Sequence, residues 1–240
     1  MVVTTSARTV MTFVDTLFLS RLGNEEPAAA GAAGVMSFVV LSMGMATTSV
    51  VNTFAAQALG RNEKVKAALY AWQGVWLSVL MGVVAFAFLP LAGPIFRWIG
   101  HSPAMQAMEI TYFQINLLSM IPSAMASGLD SFFNGVHRPK ITMWSAVAAN
   151  LFNIGANYIL IFGKFGSPAL GIAGAAIGTV LATVFRVAIL MSAMWWGPIS
   201  REYSVRRAWR PSWMRMMDLV RLGFWVGVQW TGDILAWAIF

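Results

Sequence analysis

TVMTFVDTLFLSRLG, Thr9–Gly23, sets one acidic residue, Asp15, inside an otherwise apolar helical run. A carboxylate at membrane depth costs about 3 kcal/mol on insertion scales, so one is rarely kept there without a task. Two plainer readings compete: an acid at a helix end that reaches water, and a paired Asp in the core of a soluble helix. Composition separates them. The chain is 58% hydrophobic and only 10% charged, with a mean hydropathy of +0.69. An ordinary soluble domain carries about 25% charged residues. This chain has too few charges to cover a water-facing surface, which makes it a polytopic helical membrane protein. In that setting Asp15 reads as the ion- or proton-binding carboxylate of a transporter.

Six further apolar runs follow: Ala28–Leu59, Ala68–Leu91, Ala107–Leu129, Ile141–Phe162, Leu170–Trp196 and Met217–Phe240. Each reaches the roughly 20 residues that cross a hydrocarbon core. Gly, Pro, Asn and charged residues punctuate the breaks, and no run alternates as a barrel strand does. Pro122 falls inside the fourth run and predicts a kink. The absence of Cys excludes disulfides and thiolate metal sites. His101 and His137 fall in loops without an HExxH pattern, and no nucleophile elbow or phosphate loop is present. A membrane-embedded enzyme needs converging His, Cys or paired acids, which the sequence lacks, so no enzymatic activity is expected.

The net charge of +7 does not point to nucleic acid, because the basic residues sit in short loops. Loops two, four and six hold ten of them: Arg61, Lys64, Lys66, Arg138, Lys140, Arg201, Arg206, Arg207, Arg210 and Arg215. Loops one, three and five hold Arg21, Arg97 and Lys164. The bias puts the even loops in the cytoplasm of a multi-pass inner (plasma) membrane protein, with Asp15 in the outer half of its helix. The basic, aromatic segment Ser200–Met216 reads as a cytoplasmic linker lying on anionic headgroups.

That segment also reads as a seam. WTGDILAW (Trp230–Trp237) echoes TFVDTLFL (Thr12–Leu19), and Asp233 repeats the lone acid of the first run. The expected organisation is an N-terminal transmembrane lobe of six helices at 1–199, a linker at 200–216, and the first helix of a second lobe at 217–240. On this reading the chain is a fragment of a protein roughly twice as long, with its first helix clipped near Arg8.

Partners for Asp15 come from NLFNIGANYILIFG (Asn150–Gly163). Asn150, Asn153 and Asn157 recur at spacings of three and four and share one helical face. Amide oxygens beside a carboxylate form an oxygen cage for a hard cation such as Na⁺. The same amides can instead hydrogen-bond the acid and tune it for protons, or simply join helices. Gly171, Gly174 and Gly178 form a small-residue face for close packing. Thr179 is a candidate fourth oxygen ligand. Arg186, deeper in the same helix, either pairs an acid or snorkels. Glu109 and Asp130 read as interfacial.

These residues resemble a known family. VDTLFLSRLG (Val14–Gly23), AAQALGRNEKVKA (Ala55–Ala67), the block Asp130–Thr179, and RLGFWVGVQWTGDILAW (Arg221–Trp237) are similar to segments of the multidrug and toxic compound extrusion (MATE) transporters, NorM-like branch. The resemblance implies an all-α membrane fold, here one six-helix transmembrane lobe plus the first helix of a second, half of a twelve-helix antiporter. It implies export of small organic cations or amphipathic drugs in exchange for Na⁺ or H⁺, with no cofactor and a monomer when full length. The family's cation-site positions fall on Asp15, Asn153, Asn157 and Thr179, and its seventh-helix acid on Asp233. Asn157 stands where some branches carry Asp, and Phe224–Trp225 where a proline is common. Flipping of a lipid-linked oligosaccharide or another amphipath is the alternative within the same superfamily. It calls for several basic residues at membrane depth, where this chain has Arg8 and Arg186.

Overall fold

The computed structural model describes residues 11 and 13–239. Arg8, and with it the expectation of a clipped first helix, lies outside the described residues. Helix α1 covers residues 13–20. It is followed by α2 (Glu25–Ser49), α3 (Val51–Gly60), α4 (Lys64–Phe86), α5 (Ala92–Ile99), α6 (Pro103–Leu118), α7 (Met120–Gly135), α8 (Pro139–Phe162), α9 (Gly171–Trp196), α10 (Pro198–Glu202) and α11 (Trp213–Ile239). No strand occurs among the described residues. Among the described residues, four stretches are long and apolar enough to cross a membrane: Glu25–Gly60, Lys64–Ile99, Pro139–Phe162 and Gly171–Trp196. On α8 and α9, Leu151, Phe152, Leu181 and Val184 are exposed, as residues facing lipid chains are expected to be.

The fourth apolar run is broken where its proline acts. Pro122 has no N–H to donate, and its ring crowds the carbonyl four residues back, at Leu118. The helix stops there and restarts at Met120, giving two 16-residue pieces. Ser119 covers the joint by donating its hydroxyl to the Asn116 carbonyl at 2.6 Å.

The bundle is held by pairwise packing of α8 on α9, α2 on α6, α7 and α11, and α4 on α7. Its apolar core is divided by position. One cluster gathers Trp72, Leu77, Phe132, Phe133, Leu190, Tyr203 and Leu219 from α4, α7, α9, the linker and α11. Another gathers Leu19, Ala29, Ile161, Ile172 and Ala175 at the opposite end, where α1 meets α2, α8 and α9.

Loops two and four and the linker share one end of the bundle. Glu202 of α10 accepts from Lys64 at 2.9 Å and meets Arg138 at 3.6 Å. The linker is not loose. Trp72 Nε1 donates to the Val205 carbonyl at 3.0 Å, and Trp76 Nε1 to that of Trp209 at 2.8 Å. Gln73 donates to the Arg210 carbonyl at 3.2 Å and accepts from the Ser212 N–H at 2.8 Å. A buried irregular backbone must find partners for its polar groups. Here one turn of α4 supplies them. Helix α11 accordingly begins at Trp213, before the expected Met217.

Candidate functional site

Asp15 is brought to the asparagine face of α8. Asn157 Nδ2 donates to Asp15 Oδ1 at 2.7 Å and to Asn153 Oδ1 at 3.2 Å. Both asparagines are fully buried, and Asp15 is half-buried. The spacing of four residues puts the two amides one above the other, as the sequence predicts. The amide turns its nitrogen, not its oxygen, to the acid. An ionised carboxylate only accepts, so a facing amide must donate. Of the arrangements the sequence leaves open, the one present is the amide hydrogen-bonded to the acid. Asn157 Oδ1 and Asn153 Nδ2 are buried without a hydrogen-bond partner.

Room for Asn157 comes from the glycine face of α9. A Cβ on Gly178 would collide with Asn157 Oδ1, and one on Gly174 would fall 2.6 Å from the Leu160 carbonyl oxygen. Gly171 departs from that face: it opens the helix with φ of 54°. Thr179 donates its hydroxyl to Ala175 within its own helix at 3.0 Å. That leaves the hydroxyl oxygen able to accept, but no hydrogen bond among the described residues joins it to Asp15 or the asparagines. Asp233 is exposed on α11, and no described bond connects it to this cluster.

Other polar residues of the bundle are placed differently from their sequence reading. On α6, Asn116 Nδ2 donates to the Tyr112 backbone carbonyl at 3.1 Å. Glu109, expected near the interface, is fully buried. Its Oε1 meets His101 Nδ1 at 2.8 Å, and its Oε2 has no partner. Glu109, Tyr112 and Asn116 are spaced by three and four, the same signal that singled out the asparagines of α8. Asp130, also expected at an interface, pairs with Arg186 at 2.7 Å, joining α7 to α9. This resolves Arg186 in favour of pairing over snorkelling. Among the described residues no three His, Cys, Asp or Glu side chains group as a metal site.

Comparison with known proteins places the chain in a family. The family model MatE matches residues 1–159. A probable multidrug resistance protein NorM of Rhizobium meliloti is 29% identical over 234 residues, covering 95% of this chain and 49% of that protein. Its namesake in Bradyrhizobium diazoefficiens is 30% identical over 227 residues, covering 93% and 48%. The chain thus spans about half the length of the curated relatives it matches. Among solved structures, the outward-facing conformation of a multidrug resistance MATE family transporter of the MOP superfamily superposes with a TM-score of 0.82. It is 22% identical, and the match covers 95% of this chain and 50% of that one. The inward-facing conformation gives a TM-score of 0.78 at 21% identity, covering 98% and 55%. At these identities the structural match establishes the fold alone. With two thirds of its length matched by the family model, the chain belongs to the MatE family of multi-pass membrane transporters, which are not enzymes.

Proposed function

We propose that the protein carrying this chain is a secondary antiporter that exports organic, often cationic, compounds in exchange for Na⁺ or H⁺ bound at Asp15. The reading rests on one observation: a carboxylate in an apolar helix is held at 2.7 Å by a fully buried asparagine of a neighbouring span. The relatives described as multidrug resistance proteins supply the cargo class. The pairing of Arg186 with Asp130 removes a cation that a pyrophosphate-holding cleft would need free.

The cluster suits a switch between two arrangements. In one, Asn157 donates to both oxygens, closing the site on itself. Half a turn about χ2 of Asn157, a soft two-fold torsion, exchanges its oxygen for its nitrogen. Oxygens of Asp15, Asn157 and Asn153 then converge, which is the donor set a hard cation takes. Protonation of Asp15 would instead keep a hydrogen bond by donating to that oxygen. Either way, an ion that binds one arrangement better than the other shifts the lobe between states. It then changes the affinity for cargo by the same factor that cargo changes its own.

The test uses the whole protein in a drug-sensitive host. Asp15→Asn is expected to abolish resistance while leaving membrane expression intact, and undiminished resistance in that variant defeats the reading. Dependence of dye efflux on Na⁺ against pH identifies the coupling ion.

A further inference from the structure

At the basic-loop end of the bundle, a cavity of about 400 Å³ lies where α9 runs into the linker. It is lined by Trp195, Trp196, Arg201, Ser204, Arg206 and Arg207. Three features make it a formed site. Its wall is fixed, because Val205 and Ala208 are buried and the Val205 carbonyl is held by Trp72. One of its cations is preorganised: the Arg206 guanidinium lies over the Trp195 ring at 5.7 Å, and Trp195 is itself braced edge-on by Trp72 at 5.8 Å. Its charge is not neutralised from within. Among the described residues no ion pair involves Arg201, Arg206 or Arg207, and the neighbouring acid Glu202 is taken by Lys64 and Arg138.

Three guanidinium groups around one cavity match the oxygens of a phosphate, which arginine binds in a planar fork. Free phosphate and a phospholipid headgroup share that chemistry. The surroundings favour the lipid. Trp196, at the end of α9, lines the cavity and is exposed, and Trp209 and Trp213 are exposed farther along the same linker and at the start of α11; tryptophan at the end of a spanning helix marks headgroup level. We infer that the cavity of Arg201, Arg206 and Arg207 binds the phosphate of an anionic phospholipid headgroup, fastening the linker to the membrane surface. This site is separate from Asp15 and does not depend on the transport reading.

Native mass spectrometry of the whole protein in neutral detergent tests it, with phosphatidylglycerol and phosphatidylcholine offered in equal amounts. The expected result is retention of phosphatidylglycerol by the unaltered protein, reduced roughly tenfold or more in Arg201→Gln/Arg206→Gln/Arg207→Gln, since each surface cation contributes separately. The control Arg61→Gln/Lys66→Gln/Lys140→Gln removes the same charge at the same end and is expected to retain the lipid. Single Arg207→Gln, checked for an unchanged unfolding temperature, is expected to lose part of the retention. Equal losses in both triple variants, or equal retention of phosphatidylcholine, overturn the proposal. Displacement of the lipid by millimolar inorganic phosphate overturns the lipid assignment and leaves a free-phosphate site in its place.

Discussion

Asp15 has a single hydrogen-bonded side-chain partner among those described at its site, the Asn157 amide, and that amide fits only because Gly178 has no Cβ. Gly178→Ala must therefore displace the Asn157 amide from its present position. In the whole protein it is expected to cut ion-driven efflux roughly tenfold, the cost of one displaced buried hydrogen bond. Thr179 gives the contrast. Its hydroxyl serves its own helix, so Thr179→Val is expected to stay within roughly threefold of normal, because such a back-bond contributes little. Efflux assays on the pair separate a positioning glycine from a ligand, and a larger loss in Thr179→Val would place that hydroxyl at the ion. At this scale the sequence was legible where like polar residues broke an apolar pattern at helical spacing, as at Asn153 and Asn157. It was not legible at Glu109. A lone acid near a helix start looks interfacial until the fold buries it and sets His101 against it.

Helices α7 and α9 are joined by the Asp130–Arg186 pair, whose side chains are only 18% and 25% exposed. Removing one partner strands the other charge, at a cost of about 3 kcal/mol. Asp130→Asn and Arg186→Gln are each expected to lower the unfolding temperature in detergent. Asp130→Leu/Arg186→Met, which removes both charges, is expected to recover most of the loss. A double variant as unstable as the singles would deny the pairing its role. The pair was hidden from sequence reading because its members lie 56 positions apart and each alone has a plainer explanation. The break at Ser119 was half legible. Pro122 predicted a kink, but a full stop between two 16-residue helices depends on Ser119 satisfying the Asn116 carbonyl.

Across the whole molecule, the count of apolar runs and the charge bias of the loops carried the architecture, because hydropathy and loop charge are one-dimensional signals. The attachment of the linker is not such a signal. Trp72, Gln73 and Trp76 read as ordinary residues of an apolar helix until the chain returns to them with unpaired carbonyls. Gln73→Leu removes both hydrogen bonds to the half-buried linker backbone, from the side-chain amide to the Arg210 carbonyl and from the Ser212 N–H, at about 1 kcal/mol each. Faster amide exchange across residues 198–212 is the expected readout. The Glu202 clamp adds a pH window. The hydrogen bond from Lys64 holds the Glu202 carboxyl below its ordinary 4.5, and Lys64 is raised above its ordinary 10.5. The carboxylate's contribution is complete above 4.5 and is lost as pH falls through the depressed value. That of Lys64 is complete below 10.5 and lost above it. Linker protection, taken relative to the intrinsic exchange rate at each pH, should be highest between those limits and fall modestly outside them. The central claim, that Asp15 carries the coupling ion, is tested most directly in proteoliposomes of the whole protein, by measuring dye efflux driven by an imposed Na⁺ or proton gradient. One gradient is expected to drive efflux, and Asp15→Asn, still monodisperse, is expected to give none. Gradient-driven efflux at the normal rate in that variant contradicts the claim.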